Sequence, residues 1–281
     1  MAEKNISLTD LAEFAVYLQD EERSEGTVEK YLRDVRHFIE WAGGRQINKQ
    51  TVGEWKEHLI AMGYQPVTVN SMLAAINALC NFMGWDDCRV KYLKIQRKIF
   101  RDKSRELTRN DYTQLLAAAE KNGQNRLHLL LETICATGIR VSEVRYITVE
   151  ALRQGKAEVS LKGKTRTILL PGKLCKKLLQ YAQKQKIASD EIFLTKSGKS
   201  LNRKQIWAEM KRLCKICGVE ASKVFPHNLR HLFARTFYSA CKDVVRLADV
   251  LGHSSIDTTR IYLISTGAEH AKVMARLGLI S

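Results

Sequence analysis

Ala136-Thr137-Gly138-Ile139-Arg140-Val141-Ser142-Glu143 closes an apolar run, Asn125–Ala136, and the reading of the C-terminal two thirds of the chain turns on it. The spacing of the run predicts a helix, and Gly138 breaks it just before Arg140. Arg140 and Glu143 stand three apart, so alone they describe an ion pair on a helix surface.

Downstream, Lys156–Leu161 and Arg166–Leu170 alternate as a β-hairpin with Lys162-Gly163-Lys164 at its turn. Glu191–Leu194 reads as a short third strand. Helices are predicted at Leu174–Lys186, Arg203–Cys217, Asn228–Ala240, Val244–Leu251 and Thr258–Ile264, with a last one near Ala268–Leu277. Upstream, Thr108 is placed to cap Asn110–Lys121. Residues 106–281 are therefore expected to form a mixed α+β domain with a small antiparallel sheet.

Further upstream the pattern is all helical. Ser7, Thr27, Thr51 and Thr68 are placed as caps for Leu8–Leu18, Val28–Trp41, Val52–Met62 and Val69–Met83. Short helices joined by short turns predict a four-helix bundle over residues 1–88. The outer face of the fourth helix offers Asn70, Ser71, Ala74, Asn77 and Asn81 and no charge. Such a face suits close approach to DNA, where Asn reads adenine, or burial between two neighbours. Residues 89–105 form a link with eight basic residues and one acid, Asp102. A run of this kind fits a solvated face or a hinge lying along phosphates.

The 281 residues suffice for two domains, and globular composition excludes a collagen-like or wholly disordered chain. Net charge is +16, and it is uneven. Residues 1–100 hold 13 Lys/Arg and 14 Asp/Glu, whereas residues 101–281 hold 33 and 16. A basic excess confined to one domain points to a polyanionic partner. Seven cysteines, an odd number, sit mostly in apolar helical runs with no signal peptide ahead of them, which fits a reducing cytosol. Cys214 and Cys217 have no second Cys/His pair at zinc-finger spacing and read as a helix core pattern. The uncharged stretch 59–85 is too rich in Asn, Gly and Thr for a membrane span.

Two more motifs complete the reading: Pro226-His227-Asn228-Leu229-Arg230-His231, and Leu251-Gly252-His253 followed nine residues later by Tyr262. Singly, each has an ordinary explanation, such as helix decoration, a loop past a helix end or a core tyrosine. As an ordered set they resemble the tyrosine recombinases, the phage integrase and Xer-type site-specific recombinases, over nearly the whole chain. The resemblance implies a mainly α fold. An N-terminal four-helix core-binding bundle (1–88) that binds DNA and a basic linker (89–105) precede a catalytic domain (106–281).

The resemblance also implies roles. Tyr262 is the expected nucleophile, forming a 3′-phosphotyrosine. Arg140 and Arg230 hold the scissile phosphate, His227 and His253 donate to its oxygens or move protons, and a turn lysine protonates the leaving 5′ oxygen. Lys162, followed by Gly163, is the first choice for that lysine. Leu161 stands where the family often has glycine, and the spacing to the second lysine is short, so Lys164 stays open. Glu143 is read as a support for Arg140 or its neighbours. No metal, nucleotide or other cofactor is expected, since neither a Walker loop nor a two-metal carboxylate cluster is visible in the sequence. The implied partners are double-stranded DNA at a specific site and three further copies, as a homotetramer on two duplexes, in the cytoplasm. A type IB topoisomerase, a telomere resolvase and a DNA-binding relative without catalysis are the rival readings.

Overall fold

In a computed structural model, residue 4 and residues 6–95, 103–161, 164–262 and 274–277 are described. The chain divides into two compact units, Met1–Arg97 and Lys98–Ser281.

The first unit holds α1 (Leu8–Asp20), α2 (Glu25–Ala42), α3 (Lys49–Ala61) and α4 (Pro66–Phe82). Phe14, Phe38, Trp55, Leu59, Leu73 and Ile76 from the four helices are buried in its core. Ser7 caps α1 as expected, in a capping box with Asp10. The other three helices begin earlier than Thr27, Thr51 and Thr68 predict. Ser24 precedes α2, and its hydroxyl pairs with that of Thr27 at 2.8 Å. Asn48 caps α3 by accepting from the Thr51 amide at 2.9 Å, while the Thr51 hydroxyl donates to the Gln46 carbonyl. Pro66 opens α4, where its fixed φ and missing N–H suit the first turn.

Part of the neutral face of α4 is covered by the chain itself, while Asn81 stays exposed. Asn70 donates to the Leu93 carbonyl at 2.9 Å and accepts from the Leu93 amide at 2.7 Å. Asn77 repeats the pattern with Val90, at 3.0 and 3.1 Å. Seven residues of helix rise about 10.5 Å, and three residues of extended chain span about 10 Å. Two asparagines two turns apart therefore match two backbone amides three residues apart, and residues 90–93 lie antiparallel along α4. For Asn70 and Asn77 the packing alternative is observed, since the chain's own backbone takes one donor and one acceptor of each amide.

In the second unit Thr108 caps α5 (Arg109–Lys121) in a box with Asp111, and α6 (Asn125–Thr137) follows. Buried Leu130, Leu131 and Ile134 make α6 part of the central core. A 3-10 turn (Val141–Tyr146) and α7 (Val149–Gln154) lead to β1 (Lys156–Leu161) and β2 (Lys164–Leu169), paired antiparallel from Lys156↔Leu169 to Leu161↔Lys164. Then come α8 (Gly172–Lys184), α9 (Arg203–Cys217), α10 (Pro226–Cys241), α11 (Val244–Leu251) and α12 (Ile256–Arg260).

Two expectations fail here. Glu191–Leu194 does not join the sheet, which has two strands among the described residues; only isolated bridges Thr148↔Glu191 and Leu194↔Ser200 form. Asp190 at φ +60° breaks the extended chain on one side, and a Thr195–Lys199 turn closes it on the other. The helix expected over Thr258–Ile264 is instead capped by Ser255 and ends at Arg260, so Tyr262 follows in a turn, its amide donating to the Thr259 carbonyl. The expected terminal helix near Ala268–Leu277 falls mostly outside the described residues. Cys214 is buried in α9 and its thiol donates to the Met210 carbonyl. Among the described residues no helix is long and apolar enough to cross a membrane.

Candidate active site

Helix α10 delivers two of the expected residues. Pro226 starts it, His227 stands in its first turn, and Arg230 follows one turn on, 2 % exposed. Asn228, between them, donates to the carbonyls of Arg105 and Lys223, each at 2.8 Å, which fastens the start of the helix to the preceding chain.

Helix α6 delivers Arg140. Its end needs glycine at 138, where φ is +65° and a Cβ would lie 2.3 Å from the Phe233 ring. The Gly138 carbonyl accepts from Arg230 Nη1, and two residues later the backbone turns into the 3-10 segment. Glu143 there is not the surface partner that spacing alone suggests. It is 2 % exposed, accepts from the Arg140 amide at 2.7 Å and pairs with Arg140 Nη1 at 3.0 Å.

Helix α11 brings the two arginines together. A helix end leaves carbonyls unpaired and carries partial negative charge, which favours cations. Arg230 Nη2 donates to the Leu251 carbonyl at 2.8 Å, and Arg140 Nη2 to the Gly252 carbonyl at 3.2 Å. The next residue is His253. Its Nε2 stands 2.9 Å from Arg230 Nη2 and its Nδ1 stands 2.8 Å from Thr259 Oγ1. A guanidinium cannot accept, so Nε2 accepts, and the proton sits on Nδ1 and is donated to Thr259. Burial and the nearby Arg230, Arg140 and Arg166 push the His253 pKa down to about 4. His227 is also lowered, by burial first and then by Arg230, Arg203 and Arg140. Both rings are therefore neutral near pH 7. Burial also lowers Arg230, while a hydrogen bond with Tyr262 acts in the opposite sense.

Tyr262 closes the cluster. It is 5 % exposed and packs with Ala234, Leu247 and Leu251. Its ring lies parallel to His253 at 5.7 Å between centroids, edge-on to His231 at 4.4 Å, and 6.1 Å from His227. Five of the six residues expected from the sequence thus gather from α6, α10, α11 and the chain after α12. The sixth, Lys162, lies outside the described residues, as does the side chain of Lys164. Among the described residues no group of three or more metal-ligating side chains forms.

Sequence reasoning missed Arg166, His231 and Thr259. Arg166 carried a signal: on β2 it shares a face with Ile168, which is buried, and a charge on a strand's apolar face needs a reason. Its Nη2 donates to Glu143 Oε2 at 2.6 Å and its Nη1 to the Leu251 carbonyl.

The chain matches the Phage integrase family over residues 105–269 and the phage integrase N-terminal SAM-like domain over residues 11–86. It is 28% identical to a tyrosine recombinase XerA of Pyrococcus furiosus, across 100% of this chain and 98% of that one. It is 30% identical to a tyrosine recombinase XerD of Xanthomonas axonopodis pv. citri, across 85% and 86%. Its fold is that of the Tn1549 transposon integrase in complex with transposon right end DNA, with a TM-score of 0.72 at 16% identity over 95% of this chain and 99% of that one. The chain belongs to the phage integrase family, the tyrosine recombinases, which are site-specific DNA recombinases.

Proposed function

We propose that this chain cuts and rejoins double-stranded DNA at a specific site through a 3′-phosphotyrosine at Tyr262, needing neither metal nor ATP. The observation that carries this reading is the convergence of Arg140, Arg230, His227 and His253 from three separate elements on one tyrosine from a fourth. A phosphodiester carries one negative charge, and its five-coordinate transition state carries about two, so preorganised donors favour the transition state over the ground state. The planar forks of Arg140 and Arg230 fit phosphate oxygens and stay charged. Tyr262 Oη bonds to phosphorus, the P–O5′ bond breaks, and the lysine ammonium of the hairpin turn gives its proton to O5′. Lys162 is the first choice for that role and Lys164 the alternative. One of the two neutral imidazoles takes the phenolic proton. Attack by a partner strand's 5′ hydroxyl reverses these steps, so the energy of the broken bond is kept.

Because Tyr262 is buried, it has to swing out from between His231 and His253 to meet a phosphate. Residues 1–88 are assigned the DNA-binding bundle, 89–105 the basic link and 106–281 catalysis. The working assembly is a homotetramer on two duplexes, in the cytoplasm. Capture of the covalent adduct on host genomic DNA tests the reading and maps the site. Wild type yields a DNA-linked band on a nicked suicide duplex, and Tyr262→Phe binds that duplex without forming one. A band of wild-type intensity from the variant would sink the assignment.

A further inference from the structure

Among the described residues Arg166 is the arginine at this cluster that the proposed chemistry leaves unused, and it is an expensive one. Its side chain is 14% exposed, its Nε is buried without a hydrogen-bond partner, and burial pulls its pKa down. An unsatisfied buried donor costs about 1–3 kcal/mol, more on a charged group, so a hydrocarbon side chain would serve packing better.

What the guanidinium reaches is specific. Nη2 holds Glu143 Oε2 at 2.6 Å, while the other carboxylate oxygen holds Arg140 at 3.0 Å. Nη1 donates to the Leu251 carbonyl, the same oxygen that accepts from Arg230 at 2.8 Å, and stands 3.4 Å from the Val250 carbonyl. Its stem also lies under Gly252, where a Cβ would sit 2.4 Å from Arg166 Cδ. One side chain on β2 thus touches the partner of Arg140, the partner of Arg230 and the residue before His253.

We propose that Arg166 is a positioning residue for DNA cleavage, locking Glu143 and the carbonyl end of α11 so that Arg140, Arg230 and His253 keep one fixed spacing. This rests on the reading of Arg140 and Arg230 as phosphate ligands. With both oxygens of Glu143 engaged, the carboxylate cannot rotate, and Arg140 is aimed from a rigid base. Arg166 itself meets no substrate.

The test uses the full chain and a nicked suicide duplex carrying the mapped site. Arg166→Met keeps the length of the side chain and leaves Glu143 paired to Arg140. Its single-turnover adduct formation is expected to fall about 100-fold, the scale of misplacing a catalytic group by about 1 Å, with gel-shift affinity unchanged. Arg166→Lys should recover part of the rate, since an ammonium keeps a charged donor there but lacks the planar fork that meets Glu143 and Leu251 at fixed spacing. Because the effect passes partly through Glu143, Glu143→Gln/Arg166→Met should be less impaired than the product of the single effects. Tyr262→Phe, run alongside, should give no adduct. No Tyr262 adduct from wild type would overturn the recombinase reading and this role with it. With that adduct present, wild-type cleavage by Arg166→Met, a loss of affinity matching the loss of rate, or strictly multiplicative effects in the double variant would overturn the role of Arg166 alone.

Discussion

Replacing Gly138 by alanine is expected to cripple cleavage from a position that touches no DNA. Gly138 sits at φ +65°, and a left-handed conformation costs an ordinary residue about 1–2 kcal/mol. The new Cβ would also lie 2.3 and 2.7 Å from two carbons of the Phe233 ring and 3.1 Å from Leu251 Cδ2. Forcing a methyl into such a contact costs about 1–3 kcal/mol, so the total is about 2–5 kcal/mol. In a unit of this size each kcal/mol moves the melting temperature by roughly 2–4 °C, which predicts a drop of roughly 4–20 °C by calorimetry. The functional loss follows from geometry. The Gly138 carbonyl accepts from Arg230, and Arg140 begins two residues on, so backbone relief at 138 displaces both arginines. Single-turnover adduct formation should fall with the melting temperature. Phe233→Ala removes both ring carbons, so Gly138→Ala should cost less in a Phe233→Ala background than in the wild type, with the cost of positive φ remaining. A Gly138→Ala protein that melts and cleaves like wild type, or a substitution that costs as much in the Phe233→Ala background as in the wild type, would refute the argument.

Three further outcomes are expected. Lys162→Ala should slow cleavage by about 10²–10⁴-fold, the usual cost of losing a general acid. A 5′-bridging phosphorothiolate, whose thiolate leaves unprotonated, should rescue it selectively; selective rescue of Lys164→Ala instead would move the role two residues along. Cleavage should persist in excess EDTA without nucleotide, because side-chain cations supply the charge, and loss on chelation with recovery on magnesium would contradict this. The His253 pKa, pushed down to about 4 from 6.5, makes the ring's contribution to stability complete above pH 6.5 and progressively lost as pH falls through 4. Nuclear magnetic resonance titration of the DNA-free protein should place the His253 midpoint far below that of a free histidine, and a midpoint near 6.5 would refute the assigned environment.

Much of the site was legible because its residues occur as an ordered set that no single helix or strand requires. The sequence could not say how they meet. Arg140 and Glu143 look like a surface pair at spacing three, and only the ending of α6 at Gly138 turns Glu143 inward. The helix starts differ from the expected ones where a threonine inside the first turn competes with a better entry residue just upstream, as with Asn48 and Pro66. The uncharged face of α4 left two partners open, since a neutral hydrogen-bonding face looks the same whether a base edge or the chain's own backbone completes it. Arg166 reads in sequence as one more cation next to a lysine-rich turn, although the strand face it shares with buried Ile168 gives a charge there a reason to be paired.

The hydrogen bonds of His253 set a condition on how a phosphate enters. In the DNA-free protein three of the five Arg230 N–H groups are engaged by the Gly138 and Leu251 carbonyls and by His253 Nε2, and Tyr262 also hydrogen-bonds to the guanidinium. An anion bound by Arg230 on the side of His253 would face the bare lone pair of Nε2, which is repulsive. The ring resolves the conflict by carrying a proton on Nε2, either by moving it from Nδ1 or by taking a second one. The first route requires Thr259 to change from acceptor to donor, and a hydroxyl does both by rotating. Thr259 is fully buried and 2.8 Å from Nδ1, so no water substitutes for it. Thr259→Val keeps the shape and removes both functions, leaving the Nδ1 proton without an acceptor and the tautomer change without a donor. Losing one such hydrogen bond at a buried site costs about 1–3 kcal/mol, which at the transition state is about 5- to 150-fold in rate. Thr259→Ser should keep the rate and Thr259→Val should lose it, with gel-shift affinity equal in both. If valine cleaves as fast as serine, the hydroxyl takes no part in switching the ring, and His253 meets the phosphate by taking a second proton or with its proton unchanged.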